Sequence, residues 1–368
     1  MAELTNISLS RGAPSIDIIA VDELRAAAQR AFERDASGAF AYGTSAGYPR
    51  LLEWLSKRHS VAPDRLLATN GSMQADAFLF ERLVSPGDVV VVEAPTYDRT
   101  LLSLRKLGAE ILAIPLEADG LDVEALAAAL EAGARPKLAH IIPNFQNPAG
   151  CTLSRAKRER LLELAGEYRF LIFEDDPYVD LRFEGEQHPR MLELDGGAGR
   201  VVYASSFSKT VCPGIRVGYL VGSAELIAGV RKLATETYIS PNMVAQAIVA
   251  EFCDSGAIER SIATVKRALR ERRDATAHAL ETHIPDARFV KPEGGYFLWV
   301  DLPEGSDVVR LEQGAKERGV VFVKGADFLL EGGHNSLRLA YSAVPPDQIE
   351  EGIARVADAY RELAGAAA

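Results

Sequence analysis

Val201-Val202-Tyr203-Ala204-Ser205-Ser206-Phe207-Ser208-Lys209 is an apolar run that ends in a serine-rich turn carrying a lysine, with Arg216 seven residues further on. A short apolar run bounded by turn residues is the pattern of a strand buried on both faces. Comparable runs occupy 66–69, 89–93, 111–115, 138–142, 170–174 and 217–221. Between several of them lie stretches such as 154–168, whose apolar residues recur at three- and four-residue steps, the period of an amphipathic helix. This alternation predicts an α/β chain with a mostly parallel, seven-stranded central sheet covered by helices. In such a sheet the ligand sits beyond the carboxyl ends of the strands.

Further along, a long helical pattern over 257–283 leads to Pro285 and a change of style. Strands are expected at 288–290, 296–302, 320–323 and 336–341, with helices at 308–318 and 346–363, which make a smaller α+β unit. The expected division is a large unit over 43–270 and a small one from 1–42 with 271–368. The basic run from Lys266 to Arg273 alternates with apolar residues and is expected to be a solvated helix face.

Composition narrows the function. The 368 residues are 48% hydrophobic and 25% charged, enough for a sizeable core, and the net charge of −11 with dispersed basic residues argues against nucleic acid or an anionic membrane as partner. No apolar run approaches the ~20 residues of a membrane span, and no leader pattern opens the chain. Three separated cysteines, Cys151, Cys212 and Cys253, suggest reduced thiols and a cytoplasmic location. His278 and His283 fall on different helix faces, and no metal-ligand spacing is present.

The unusual residues collect at the expected strand ends. Asn70-Gly71-Ser72-Met73-Gln74 follows one strand and opens a helix, offering backbone N–H groups to an anion. Pro95-Thr96-Tyr97 follows the next strand. Asn144-Phe145-Gln146-Asn147-Pro148-Ala149-Gly150 and Asp175-Asp176-Pro177-Tyr178 follow two others, and Arg338 stands in Leu337-Arg338-Leu339-Ala340-Tyr341-Ser342.

In this order the motifs resemble the class I/II aminotransferases of pyridoxal-phosphate (PLP) fold type I, nearest their aminoadipate, aromatic and multi-substrate branch. The resemblance covers about residues 7 to 360. It implies PLP as cofactor, with Lys209 bonded to the cofactor aldehyde and then acting as the proton-moving base. It implies that the amides of Ser72 and Met73, the hydroxyls of Ser206 and Ser208, and Arg216 hold the phosphate. Asp175 would pair with the ring nitrogen, with Asp176 the neighbour most easily mistaken for it. Asn147 and Tyr178 would face the phenolic oxygen, and Tyr97 would stack on the ring. Arg338, helped by Gly12 and Asn147, would bind the substrate carboxylate. Tyr42 resembles the tyrosine that reaches the neighbouring subunit's phosphate, implying a homodimer with shared sites. Arg11, beside Gly12, is a candidate for reading a distal substrate carboxylate.

The resemblance implies transfer of an amino group from an L-amino acid to a 2-oxo acid. The alternative in the same fold is a β-lyase, decarboxylase or oxidase. A ligand-sensing regulator would carry a helix-turn-helix unit ahead of residue 7, and none is expected; the gating helix of the nearest relatives is likewise expected to be absent or reduced. Two hydrolase patterns, Gly43-Thr44-Ser45-Ala46-Gly47 and Ser206-Phe207-Ser208-Lys209, lack the companion residues that such chemistry requires.

Overall fold

The structure, a computed structural model, describes residues 6–367; the first five residues, at the start of the segment in which no leader is expected, lie outside the described residues. Its strands are β1 (Ile7–Ser8), β2 (Leu66–Thr69), β3 (Val89–Ala94), β4 (Glu110–Glu117), β5 (Gly120–Leu121), β6 (Pro136–Ile141), β7 (Leu171–Asp175), β8 (Val201–Ser206), β9 (Gly218–Val221), β10 (Phe297–Asp301), β11 (Val320–Val321), β12 (Val323–Lys324) and β13 (Ser336–Ala340).

All seven expected runs of the first half enter one sheet, ordered β2-β9-β8-β7-β6-β3-β4-β5. The sheet has eight strands rather than seven, because the two-residue β5 turns back onto the end of β4. It is also mixed. β7 pairs in parallel with β6 and β8, and β3 with β4 and β6, whereas β9 runs antiparallel to both β8 and β2. The reason lies in the connection. Between β8 and β9 the chain makes a compact turn with no crossover helix, and a parallel return needs such a crossover.

Alternation along β3 explains the layering. Val90 and Val92 join a core with Phe78 and Leu79 of the helix Ser72–Leu83 and Val230 of the helix Ala224–Tyr238. Val91 faces the other way, toward Leu126 of the helix Val123–Glu131 and Leu161 of the helix Arg155–Tyr168. With helices on both faces, every residue of β8 is buried, which is why its sequence reads as a continuous run.

The C-terminal third forms a separate antiparallel sheet, β10-β13-β12. The expected strand at 288–290 reduces to one bridge, Arg288 with Asp301, since Val290 is half exposed and Pro292 follows. The expected strand at 320–323 divides at the buried Phe322, β11 pairing with β1 and β12 with β13. The parallel pairing of β1 with β11 draws the N-terminal segment over the end of the large sheet.

Arg272 and Arg273 correct the expectation of a solvated face on the helix Ala257–His283. Both are buried. Arg272 donates to Ser15 Oγ at 2.9 Å and to Asp17 Oδ2 at 2.7 Å, and Arg273 lies 2.8 Å from the Glu184 carboxylate. Buried guanidinium groups need such partners, and the contacts of Arg272 anchor the N-terminal segment that crosses the site.

Candidate active site

A cavity of about 690 Å³ opens beyond the ends of β7 and β8, between the start of the helix Ser72–Leu83, the segment Ser10–Arg11–Gly12 and β13. Lys209, Asp175, Tyr97, Ser72, Met73, Asn147, Tyr178, Ser206, Ser208, Arg216, Gly12, Arg338 and Arg11 all line it. Tyr42 does not. Its side chain is 86% exposed and outside this chain's cavity.

At one end the geometry suits an anion. Gly71 has φ +87°, and a Cβ there would lie 2.1 Å from Arg216 Nη2, so the turn closes only with glycine. Ser72 and Met73 then begin a twelve-residue helix whose first N–H groups have no helical acceptors. Arg216 donates from Nη1 to Ser208 Oγ at 3.0 Å, and the Ser208 N–H donates to Ser206 Oγ at 3.1 Å. One turn and one helix start thus converge with a fixed positive charge.

Lys209 sits in the middle, its Nζ donating to Gly12 O at 2.5 Å and lying 5.2 Å from the Tyr296 ring centre. Burial, then the charges of Arg338 and Arg216, lower its pKa to about 8, which makes the free amine accessible near neutral pH. A Cβ on Gly12 would strike Phe297 Cζ at 2.2 Å, so glycine allows the segment to approach the lysine.

The two neighbouring aspartates diverge. Asp175 faces the cavity, buried, with Oδ2 3.6 Å from His140 Nε2 and Oδ1 without any partner. Asp176 points to the other side of the strand, where Asn144 Nδ2 donates to its Oδ2 at 2.9 Å. An orphaned buried carboxylate oxygen beside an open cavity calls for a cationic or donor group from outside the chain. Tyr178 is buried and its phenol is pushed strongly up by that burial, so it stays a donor. Tyr97 is half-buried, its hydroxyl 3.8 Å from Met73 Sδ.

At the far end Arg338 donates to Asn147 Oδ1 at 2.8 Å and to Ser10 O at 2.6 Å, between the rings of Phe297 and Phe328. It is 7% exposed and makes no ion pair with any described residue, and burial lowers its pKa. A substrate carboxylate would complete it. Arg11 is exposed at the mouth and also makes no ion pair or side-chain hydrogen bond among the described residues.

Sequence reasoning missed Asp76. It lies one turn into the helix Ser72–Leu83, 8% exposed, lining the same cavity with Oδ1 unpartnered. As an acid in a helix it carries no local signal. Among the described residues no group of three His, Cys, Asp or Glu side chains could hold a metal ion.

Residues 5–356 match the model of the family "Aminotransferase class I and II". Aromatic-amino-acid aminotransferase 1 of Thermococcus litoralis is 34% identical, over 97% of this chain and 88% of that protein. The α-aminoadipate aminotransferase of Thermus thermophilus, solved with N-(5'-phosphopyridoxyl)-L-leucine, superposes with a TM-score of 0.93 at 31% identity, covering 98% of this chain and 93% of that one. A multiple substrate aminotransferase from Thermococcus profundus also gives 0.93, at 34% identity, with 98% and 92% covered.

Proposed function

The chain belongs to the class I and II aminotransferases, and from that premise we propose how its own residues divide the work of a PLP-dependent transamination between an amino acid and a 2-oxo acid. Bound PLP supplies an aldehyde that takes the amine and a ring that accepts the electron pair left when the α-proton departs. The single observation that carries the assignment is the unpartnered Asp175 Oδ1, buried in a cavity that also holds Lys209 and Arg216.

Arg216, Ser206, Ser208 and the amides of Ser72 and Met73 form the phosphate cradle. Asp175 would face the ring nitrogen and favour its protonated form, Asn147 and Tyr178 would lie on the side of the phenolic oxygen, and Tyr97 on a ring face. Lys209 would hold the cofactor through its amine and serve as the proton-moving base; an amine whose pKa lies near 8 both accepts and returns a proton readily. Arg338 holds the α-carboxylate, with Asn147 Oδ1 and Ser10 O fixing the guanidinium and Gly12 lining the cavity beside it.

We assign Arg11 to the distal end of the substrate, which favours donors with a side-chain carboxylate, such as glutamate or aminoadipate. The relative named for α-aminoadipate supports that class. A homodimer belongs to the same proposal, since Tyr42, Phe40 and Ile239 are large and exposed and do not line the cavity described above. The three cysteines are free, in keeping with a cytoplasmic site of action. Of the division into 43–270 and 1–42 with 271–368, the placing of the first residues with the C-terminal unit is supported by a core that gathers Ile7 and Leu9 with Val300, Leu339 and Ile353, whereas Ala27, Ala31 and Ala39 of the helix Val21–Phe40 pack with the large unit.

Replacing Lys209 with alanine tests the whole assignment. Turnover is expected to vanish together with the visible absorbance of the lysine-bound cofactor, while phosphate-anchored cofactor is retained. Normal turnover with an unaltered spectrum would overturn it.

A further inference from the structure

Two buried acids, not one, line the cavity to which the ring nitrogen was assigned above. Asp175 comes from the end of β7 and Asp76 from the helix Ser72–Leu83, four residues after Ser72 and so on the same helix face. Both side chains are at least nine-tenths buried, and both keep an Oδ1 with no hydrogen-bond partner among the described residues. Two carboxylates desolvated in one cavity do not both ionise at low cost.

We propose that Asp76 is a positioning residue for Asp175: it remains a neutral acid and directs its proton at the Asp175 carboxylate, so that the pair carries one negative charge. The inference rests on the assignment of Asp175 to the ring nitrogen. In this proposal the charge is given to Asp175, which has a nitrogen, His140 Nε2, 3.6 Å from its Oδ2. Asp76 has no such neighbour. Burial, and next the charge of Asp175, hold its carboxyl well above the usual carboxylate range, and only its own backbone N–H opposes them. The other ionisable groups lining the cavity are Arg11, Tyr97, Asp98, Arg99, Tyr178, Lys209, Arg216 and Arg338, and among the described residues none of these makes a hydrogen bond or salt bridge with Asp76.

A donor aimed at Asp175 has a definite consequence. It makes that carboxylate a weaker base, so the shared proton stays on the ring nitrogen instead of moving onto Asp175. The electron-accepting form of the ring is then the resting form. Asp76 touches neither the substrate nor the reacting carbon in this account; it acts through Asp175.

The test uses three forms of the chain: wild type, Asp76→Leu, which has no donor, and Asp76→Asn, whose amide still donates. First, the infrared difference between apoprotein of wild type and Asp76→Asn at neutral pH should show one protonated-carboxyl band belonging to Asp76. The subtraction removes the bands of other buried acids. Second, holoenzyme loaded with cofactor labelled with nitrogen-15 at the ring position should give a protonated-nitrogen shift in wild type and Asp76→Asn, and a shift toward the unprotonated value in Asp76→Leu. The half-reaction with a donor amino acid should slow about ten- to a hundredfold in Asp76→Leu, the loss of one hydrogen bond to a charged group, with recovery in Asp76→Asn.

Absence of the infrared band, or identical ring-nitrogen shifts in wild type and Asp76→Leu, would overturn the inference. The underlying assignment fails separately, if Asp175→Ala leaves the ring-nitrogen shift of the wild type in place.

Discussion

Asp175→Ala and Asp176→Ala should fail in opposite ways, and the structure gives the size of each failure. Asp175 makes no hydrogen bond through Oδ1 and lines the cavity, so its removal leaves few protein groups unpaired. It does leave a buried cationic ring nitrogen without its anion, at about 3–5 kcal/mol for breaking such a pair. Carried into the barrier, that slows the half-reaction by roughly two to four powers of ten. Asp176 accepts from Asn144 Nδ2, and Asn144 Oδ1 in turn accepts from the buried Arg158 at 2.9 Å. Removing Asp176 strands a buried amide donor, a cost of about 1–3 kcal/mol to folding rather than to chemistry. The assay is a single-turnover reaction with a donor amino acid, followed by the cofactor's visible absorbance, with a thermal melt beside it. Asp175→Ala should be slow and nearly as stable as wild type; Asp176→Ala should be less stable and, below its melting point, close to wild type in rate. Equal slowing in both variants would refute the reasoning, because it would mean that the ring nitrogen does not distinguish the two sides of β7.

Glu93 is buried and its pKa is raised to about 8, chiefly by desolvation, against hydrogen bonds from Gln146 and the Ile142 N–H. The folded state therefore holds a proton that the unfolded state loses above about pH 4.5, so Glu93 contributes a fall in stability as pH rises from about 4.5 to 8, by at most about 1.4 kcal/mol per unit, which then levels off. Glu93→Gln should make the wild-type slope shallower in urea melts, leaving the share of other buried acids such as Asp176, and an unchanged slope would discard Glu93 as a contributor. Arg11→Ala should lower kcat/KM for glutamate by about 1.5–3 kcal/mol and leave leucine nearly untouched; parallel losses for both donors, with a lower melting temperature, would make Arg11 a tether. Sedimentation should show a dimer at assay concentration, and a fully active monomer would end the shared-site role of Tyr42.

Much of the fold was legible because burial on two faces removes the need to interpret alternation. In β6, β7 and β8 nearly every position is buried, and each run stands out from its helical flanks. The strands that escaped, β1 and β5, are two residues long, and no period exists in two residues. They form because another strand offers an edge, as β11 does for Ile7 and Ser8. Arg272 escaped for a related reason. Its charge reads as a surface group, and the acid that lets it be buried, Asp17, lies 255 residues away in the chain.

The site divides along the same physical line. Motifs contiguous at strand ends were legible, since the turn geometry and the chemistry share the same few residues. The orientation of the acidic run Glu174-Asp175-Asp176 was not. A strand places successive side chains on opposite faces, so Glu174 and Asp176 must share one side and Asp175 the other, but nothing local says which side carries the ligand. Packing decides it. Glu174 accepts from the Met191 and Leu192 N–H groups and Asp176 from Asn144, which uses up the side toward Arg158. Asp175 is left to the cavity, whose lining it shares with Asp76 of the helix Ser72–Leu83. The tyrosine, lysine and arginine of the motifs fit around that one open carboxylate, and a shift of β7 by one residue would present two acids already satisfied by the protein and none to the cofactor.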